Sequence, residues 1–307
     1  MGGGSCSDTE RVSFPTRLHE RDVTDRHYYL RMKRKWSAVE RLPSFDFGGA
    51  ALKSQWARLH RGDCEPFPTA ATLRDRFAAN DGSSRAKEAV ATVQDAWRAF
   101  HAGDLQRAFE LGSQVGLPGF AVALKAAGIY ATAVEKNAQY AEKLLYEASI
   151  RARDIVERLP EDTNAHYLYA FTMGRYGQRI SIAEALAQGF AGKIEKGLHR
   201  ALSLEPKHAD AHTALGVYHS EIVAKLGSLA ARLTYGASSD KAMEHFRKAL
   251  KLAPRAPVVK VEYAHALRRL NEAAYADEIE ALLEQAAQCE PADAVEWLDR
   301  ERARKLC

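Results

Sequence analysis

Cysteine is scarce in this sequence. The 307 residues include four cysteines, which lie far apart in the chain: Cys6, Cys64, Cys289 and Cys307. None of them forms a Cys-x-x-Cys pair or has the spacing of metal ligands, which argues against a disulfide-stapled domain and against a cysteine metal site. Free thiols are typical of a reducing compartment, so we expect a cytoplasmic protein.

Long apolar runs are also missing from the sequence. The opening residues, MGGGSCSDTERVS, contain no apolar stretch typical of a secretory signal. No segment approaches the roughly 18 consecutive apolar residues that are typical of a membrane-spanning helix. These two features predict a soluble chain without a membrane span.

Catalytic signatures are absent as well. The chain contains no GxGxxG, GxxxxGK[ST], HExxH or GxSxG motif, the signs of nucleotide, zinc and acyl-transfer chemistry. His208 and His212 are four residues apart, as two ligands on one helix face would be, but no third ligand is identifiable. Glutamates such as Glu184 and Glu221 are more typical of solvated helix faces than of a paired acid and base. We therefore expect no enzyme activity, no cofactor and no metal.

Neither sign of charge dominates. The formal net charge is +4, from 44 basic and 40 acidic residues, and the densest basic run is RMKRKW at 31–36. Such a run can contact phosphate, but no aromatic stacking motif or recognised nucleic-acid fold accompanies it, so a solvated segment is the simpler interpretation. Nucleic acid is not an expected partner.

Strand-forming alternation of Val, Ile and Thr is missing too, whereas Ala, Leu, Glu, Lys and Arg dominate after about residue 85. These residues favour helices, so the composition predicts an all-α protein. Residues 1–85 read as an N-terminal arm with short helices near 50–60 and 70–79 and disorder over roughly the first 25 residues. Residues 86–307 are predicted to form a domain of paired helices.

A repeated phrase organises the second region. RALSLEP at 200–206 and KALKLAP at 248–254 are nearly the same seven residues. The two prolines of this phrase, together with Pro160 and Pro291, each follow a helix-like run, and proline cannot continue a helix. Each of these four prolines is therefore expected to mark the end of a helix.

The spacing within one unit is that of a known repeat. Ala242, Phe246, Ala249 and Pro254 are separated by 4, 3 and 5 positions, and a Leu215-Gly216 pair begins nine residues after Pro206. This pattern resembles the tetratricopeptide repeat. The resemblance implies a right-handed α-solenoid of stacked antiparallel helix pairs, in which a small residue admits a close helix approach and a large one fills the adjacent gap.

The central units are longer than that repeat. Apolar residues continue at helical spacing from Ala211 to Leu233, which predicts one continuous first helix over His208–Tyr235, about 42 Å long. The preceding unit repeats the pattern from Tyr169 onward, 46 residues earlier, so two consecutive first helices are expected to be unusually long. This elongated pair resembles the regulator-of-microtubule-dynamics family over about residues 155–270. No residue identifies tubulin as a partner, so the microtubule association of that family is not transferred to this chain.

Such a solenoid implies a concave face that is lined by first helices and binds an extended peptide or a partner helix. We therefore predict a non-catalytic scaffold or adaptor with a protein or a peptide as its partner. The candidate partner-binding residues are polar or aromatic residues of the first helices: His166, Arg175, Arg179, His212, His219, Lys225, Arg232 and Tyr263.

Two alternatives remain open at this point. The elongated helices could line a pocket for a small or lipophilic molecule, an idea that the small residues Gly189, Ala191 and Gly192 support. Leu282, Leu283 and Trp297 could cap the array or mediate homo-oligomerisation. An apolar tunnel would favour the pocket, whereas a polar open groove would favour the scaffold.

Overall fold

The computed structural model describes residues 34–74, 76 and 83–307, with the side chains of 83–87 left out. These residues form fifteen α-helices and no strand, which confirms the prediction of an all-α fold. Residues from Lys35 to Cys307 make one compact unit. The first 25 residues, where disorder was expected, and the first half of the basic run at 31–36 lie outside the described residues.

The helices are α1 (Ala51–Leu59), α2 (Ala70–Arg74), α3 (Ser83–Ala102), α4 (Leu105–Gln114), α5 (Phe120–Ile129), α6 (Ala138–Arg158), α7 (Thr163–Gly177), α8 (Ile182–Ala187), α9 (Phe190–Leu204), α10 (Ala209–Leu226), α11 (Ser228–Tyr235), α12 (Ser239–Leu252), α13 (Pro257–Asn271), α14 (Ala276–Ala287) and α15 (Ala294–Arg304). A short 3₁₀ turn (Leu117–Gly119) precedes α5, and a π turn (Tyr130–Val134) follows it.

From α7 onward the helices pack in pairs, α7 with α9, α10 with α12 and α13 with α14, and α15 packs on both α13 and α14. We call α7, α10, α13 and α15 the first helices. Helices α6, α9 and α12 each end two residues before a proline, as the sequence predicted for Pro160, Pro206 and Pro254. Side-chain caps at Asp162, His208 and Asp293 begin three of the first helices, since each accepts a hydrogen bond from a backbone N–H of the first turn.

The expected continuous helix over His208–Tyr235 is wrong. Helix α10 ends at Leu226, Gly227 adopts φ 77° and ψ 156°, and α11 starts at Ser228. That backbone conformation is open to glycine and strained for other residues. The preceding first helix likewise ends at Gly177, and its extra residues form the separate helix α8. The long units therefore contain first helices of 15 and 18 residues, each followed by a short inserted helix.

The N-terminal segment packs against the repeat helices. Trp36 stacks on Tyr130 with ring centroids 4.2 Å apart, and its indole N–H donates to the Tyr140 hydroxyl. Trp56 on α1 meets Trp97 on α3 edge to face. Helix α1 lies where a helix near 50–60 was expected; α2 begins the one expected at 70–79, part of which lies outside the described residues.

One apolar stretch corrects the expectation that no segment has the composition of a membrane helix. Leu117–Val134 spans 18 residues with a mean hydropathy of 1.4, and 67% of it is buried inside the protein. A buried core helix passes the same test of length and composition. In the described part of the chain this is the one segment that does so.

The residues proposed for self-association belong to the core. Leu282, Leu283 and Trp297 are all buried, and the two leucines pack in a cluster with Phe246 and Tyr263. They are therefore not a free surface for a second copy of the chain.

Candidate functional site

Three first helices meet at one buried carboxylate. Glu262 on α13 is 2% exposed. Its Oε1 accepts hydrogen bonds from Arg175 Nη2 on α7 and from Arg302 Nη1 on α15, each at 2.9 Å. Burial acts to raise the pKa of Glu262, but the two guanidinium groups outweigh it and hold that pKa well below its usual range. The long side chain of Arg175 thus connects α7 to α13, although these two helices are not neighbours in the pairing order.

Further polar contacts extend from this centre to the ends of α7 and α10. Arg175 Nη1 lies 3.3 Å from Gln178 Oε1, and Gln178 Nε2 donates to Glu221 Oε1 at 2.7 Å. Glu221 also pairs with Lys225 at 3.2 Å and with Arg269 at 3.5 Å. We call the chain of contacts from Arg302 to Lys225 the polar network. It links side chains of all four first helices.

A second carboxyl group adds a titratable charge to this region. Burial raises the pKa of Asp299 on α15 to about 7, and Glu262 adds to this rise against the opposing effect of Arg302. The pKa values of Asp299 and Glu262, two carboxyl groups of the same region, are thus shifted in opposite directions.

The N-terminal ends of α7 and α10 are covered by the protein's own chain. The loop of residues 60–66 follows α1, and its Gly62 carbonyl accepts a hydrogen bond from the Asp210 N–H at 3.0 Å. The Asp63 carbonyl accepts one from Asn164 Nδ2 at 3.1 Å, and Arg76, after the loop, pairs with Asp162 at 3.0 Å. An exogenous peptide cannot occupy this end of the first-helix face while the loop is seated there.

Buried polar contacts join the same loop to α5 and α3, and through α3 to the start of α15. Asp63 accepts from Lys125 Nζ at 2.5 Å and from His60 Nδ1 at 2.9 Å. The His60 ring lies 3.2 Å from His101, nitrogen to nitrogen, and His101 in turn contacts Asp293 at 2.7 Å. This chain of contacts joins α3 to the start of α15, so the first and last long helices of the unit are linked. Sequence reasoning missed the whole cluster.

The predicted partner-binding residues separate into buried and accessible groups. Tyr263 is 1% exposed and stacks on Phe246 at 4.8 Å, and His219 is buried beside His245. His212 is also buried, and its Nε2 lies 3.3 Å from the Pro206 carbonyl. These three side chains thus lie buried between a first and a second helix, and their role in partner binding stays a prediction.

His166 and His212 share a structural position. His166 Nε2 lies 2.8 Å from the Pro160 carbonyl, six residues earlier, as His212 does from Pro206. Lys260 repeats the contact by donating to the Pro254 carbonyl at 2.6 Å. These side chains tie the start of a first helix to the preceding turn.

The other four predicted residues lie toward the opposite ends of the first helices. Arg175 belongs to the polar network, and Arg179 donates to the Ala131 carbonyl at 2.9 Å. Lys225 pairs with Glu221, and Arg232 is exposed on α11. The structure thus brings Arg175 and Lys225 into one network.

This end of the array also carries exposed apolar side chains. We define the apolar edge as Ile182 and Leu186 on α8 together with Leu229 and Leu233 on α11. The sequence pattern placed Leu229 and Leu233 on the buried stripe of a long helix. They belong instead to the separate helix α11, which begins after the break at Gly227, and both are exposed.

Comparison with curated proteins finds no match to this chain. A family model described as Regulator of microtubule dynamics protein 1-3 matches residues 119–306. The match is wider than the resemblance at 155–270. It includes every first helix and the residues of the polar network from Arg175 to Arg302. It spans more than half of the 307 residues. The chain is therefore a member of the Regulator of microtubule dynamics protein 1-3 family.

Proposed function

We propose that this protein is a non-catalytic scaffold that binds a protein or a peptide on the face of its first helices, around the polar network. The observation that carries the proposal is the convergence of Arg175 and Arg302 on Glu262, since it places charged side chains of several repeat units on one surface. The side chains of Arg302 and Lys225 are 41% and 37% exposed, so the network reaches solvent at two places. Partly exposed, mutually oriented charges on rigid helices are suited to recognise a polar partner.

The family supports a regulatory role exercised through protein partners. Its description, Regulator of microtubule dynamics, makes a microtubule protein one partner class to test. The arrangement of helix pairs in a right-handed, tetratricopeptide-like solenoid and a cytoplasmic location belong to the same proposal. The partner would bind the polar network rather than the N-terminal ends of α7 and α10, which the loop of residues 60–66 covers.

The alternative of a lipophilic pocket has less support than the proposed scaffold. Unusually long first helices were one reason to consider it, but α7 ends at Gly177 and α10 at Leu226. The face that these helices present also contains Arg175, Glu221 and Glu262, and burying such charges against an apolar ligand is unfavourable.

The test is a pull-down with the full chain from native lysate, followed by mass spectrometry of proteins and small molecules. We expect a reproducible protein partner that is lost with Lys225→Glu and Arg302→Glu. Lys136→Glu is the matched control, because Lys136 is 81% exposed and pairs with Glu40, which is not part of the polar network. A partner that binds all three variants equally, or a small molecule without any protein, would overturn the proposal.

A further inference from the structure

Helix α11 is held so that its two leucines face away from the protein. Ala231 is fully buried and packs in a small cluster with Val223 and Ala237. Leu229 and Leu233 lie two residues before and after Ala231, about 200° around the helix, and are therefore on the opposite side. Their exposures are 74% and 77%. Because the buried Ala231 anchors α11 on one side, Leu229 and Leu233 are held exposed on the other side.

Helix α8 presents a similar pair. Ile182 and Leu186 are one turn apart and are 47% and 41% exposed. The Ser181 side chain caps the start of α8, and Phe190, just past its end, is buried near Tyr176 with ring centroids 5.8 Å apart. Both ends of α8 are therefore fixed. Because α8 follows α7 and α11 follows α10, the two pairs lie at the same end of neighbouring first helices.

The segments that carry the apolar edge have a net positive charge. The segments 179–196 and 225–241, which contain the two inserted helices, together hold six basic and three acidic residues. Lys193, Lys225, Arg232 and Lys241 are all exposed. Aliphatic side chains within a basic surround are the pattern of helices that lie in the interface of an anionic membrane.

The small size of the apolar edge favours a membrane surface over a protein as the partner that covers it. A stable protein complex buries about 800 Å² on each partner, with a well-packed apolar centre. Four aliphatic side chains on two separate short helices are too few for such a contact. A lipid surface needs no matching shape, since each side chain inserts independently and each cation adds attraction to anionic headgroups.

We propose that the apolar edge docks reversibly on the surface of a membrane that contains anionic lipids. The four aliphatic side chains enter the interface, and the basic residues around them contact the headgroups. The chain then lies on the membrane rather than crossing it, with the first-helix ends toward the lipid. The apolar edge shares Lys225 with the polar network, but none of its four aliphatic side chains belongs to the partner-binding face, so this proposal does not depend on the proposed function.

The test is sedimentation of the full chain with vesicles of phosphatidylcholine alone or with about one third phosphatidylglycerol. We expect binding to the anionic vesicles, at least about tenfold stronger than to the neutral ones, that weakens as salt is raised. Combined Leu229→Ser and Leu233→Ser should weaken it by about tenfold or more, and Arg232→Glu by several fold. Ala230→Ser, also exposed on α11, is the matched control and should bind as the wild type does.

A second readout keeps the test independent of folding defects. With Leu233→Trp, insertion of the new indole should shift its emission to shorter wavelength when anionic vesicles are added, while circular dichroism reports intact helices. The proposal is overturned if no vesicle binds the chain, or if the double serine variant binds as strongly as the wild type. It is also overturned if analytical ultracentrifugation shows a dimer that the double serine variant abolishes, since a second copy then covers the edge.

Discussion

The Nδ1 atoms of His212 on α10 and His245 on α12 lie 2.9 Å apart. Two such atoms can share a hydrogen bond when one ring is a donor and the other an acceptor, but two protonated rings leave no acceptor. His219 stacks on His245 with centroids 5.7 Å apart, so three imidazoles share this helix contact. The contact therefore requires mostly neutral histidines.

The first prediction concerns acid sensitivity. Burial lowers the pKa of His219 and of His245 to about 4, and Lys241 and Lys248 respectively add to the effect. The unfolded chain, with histidine pKa values near 6.5, binds more protons, so this stabilisation is complete above about pH 6.5 and is lost as pH falls toward 4. The wild type should lose unfolding free energy when the pH falls from about 7.5 to about 5. We expect this loss to be about 1 kcal/mol smaller in His245→Gln, a value that allows for the partial exposure of the ring. Urea unfolding at the two pH values measures it.

The control for this prediction is His199→Gln, because His199 is an exposed histidine on α9. It should leave the difference between the two pH values unchanged. An equal effect of both substitutions would mean that the pH dependence does not arise from the contact between α10 and α12.

The second prediction concerns the close approach of α10 and α12. A Cβ atom at Gly216 would lie 2.6 Å from the ring of Phe246, which is fully buried. Gly216→Ala should therefore lower the free energy of unfolding by about 1–3 kcal/mol through overpacking. Gly192→Ala on α9 is the matched control: no atom lies within 4 Å of its added Cβ, so the better helix propensity of Ala should stabilise the chain slightly. Destabilisation by both substitutions alike would contradict this account.

Gly216 also illustrates what the sequence could reveal. The Leu215-Gly216 pair and the spacing of Ala242, Phe246 and Ala249 predicted a small residue opposite a large one, and the structure has this contact. The prolines predicted helix ends in the same way. These features are local and periodic, so each leaves a pattern within a few tens of residues.

The break at Gly227 left no such pattern. Apolar spacing continues through it, because Leu229 and Leu233 have the spacing of a buried stripe although they are exposed. A single glycine with positive φ ends α10 and precedes α11 without interrupting the spacing of the apolar residues. The loop of residues 60–66 escaped prediction for another reason: its contact with Asn164 joins residues about a hundred positions apart and follows no periodicity.

The third prediction concerns the centre of the polar network. Glu262→Gln leaves the guanidinium of Arg175 without a charged partner in a largely buried position, and breaking a buried pair costs about 3 kcal/mol. Arg302→Gln should lower the free energy of unfolding by less than about 1 kcal/mol, because Arg302 is 41% exposed and Glu262 remains paired with Arg175. Urea unfolding of the two variants at neutral pH provides the comparison. Equal losses would show that Arg175 and Glu262 do not form the dominant pair.

Acid titration adds a check on the same residue. Because the pKa of Glu262 is held well below its usual range, its stabilising contribution is present above about pH 4.5 and is lost as pH falls further. In Glu262→Gln the loss of stability below that pH should be shallower than in the wild type.

The last prediction concerns the ion pair that seats the N-terminal loop. Asp63 is 2% exposed and its Oδ2 lies 2.5 Å from Lys125 Nζ, with Asp210 as a more distant carboxylate at 3.7 Å. Asp63→Asn should lower the free energy of unfolding by about 3 kcal/mol, because a buried ammonium loses its nearest partner. Adding Lys125→Met should restore part of that loss, since both charges are then removed together. Tryptophan fluorescence during urea unfolding follows the change through Trp56 and Trp97, which lie beside His60. Lys136→Met, which breaks an exposed pair with Glu40, is the control and should have no measurable effect. If the double variant is no more stable than Asp63→Asn alone, the pair of Asp63 and Lys125 does not hold the loop.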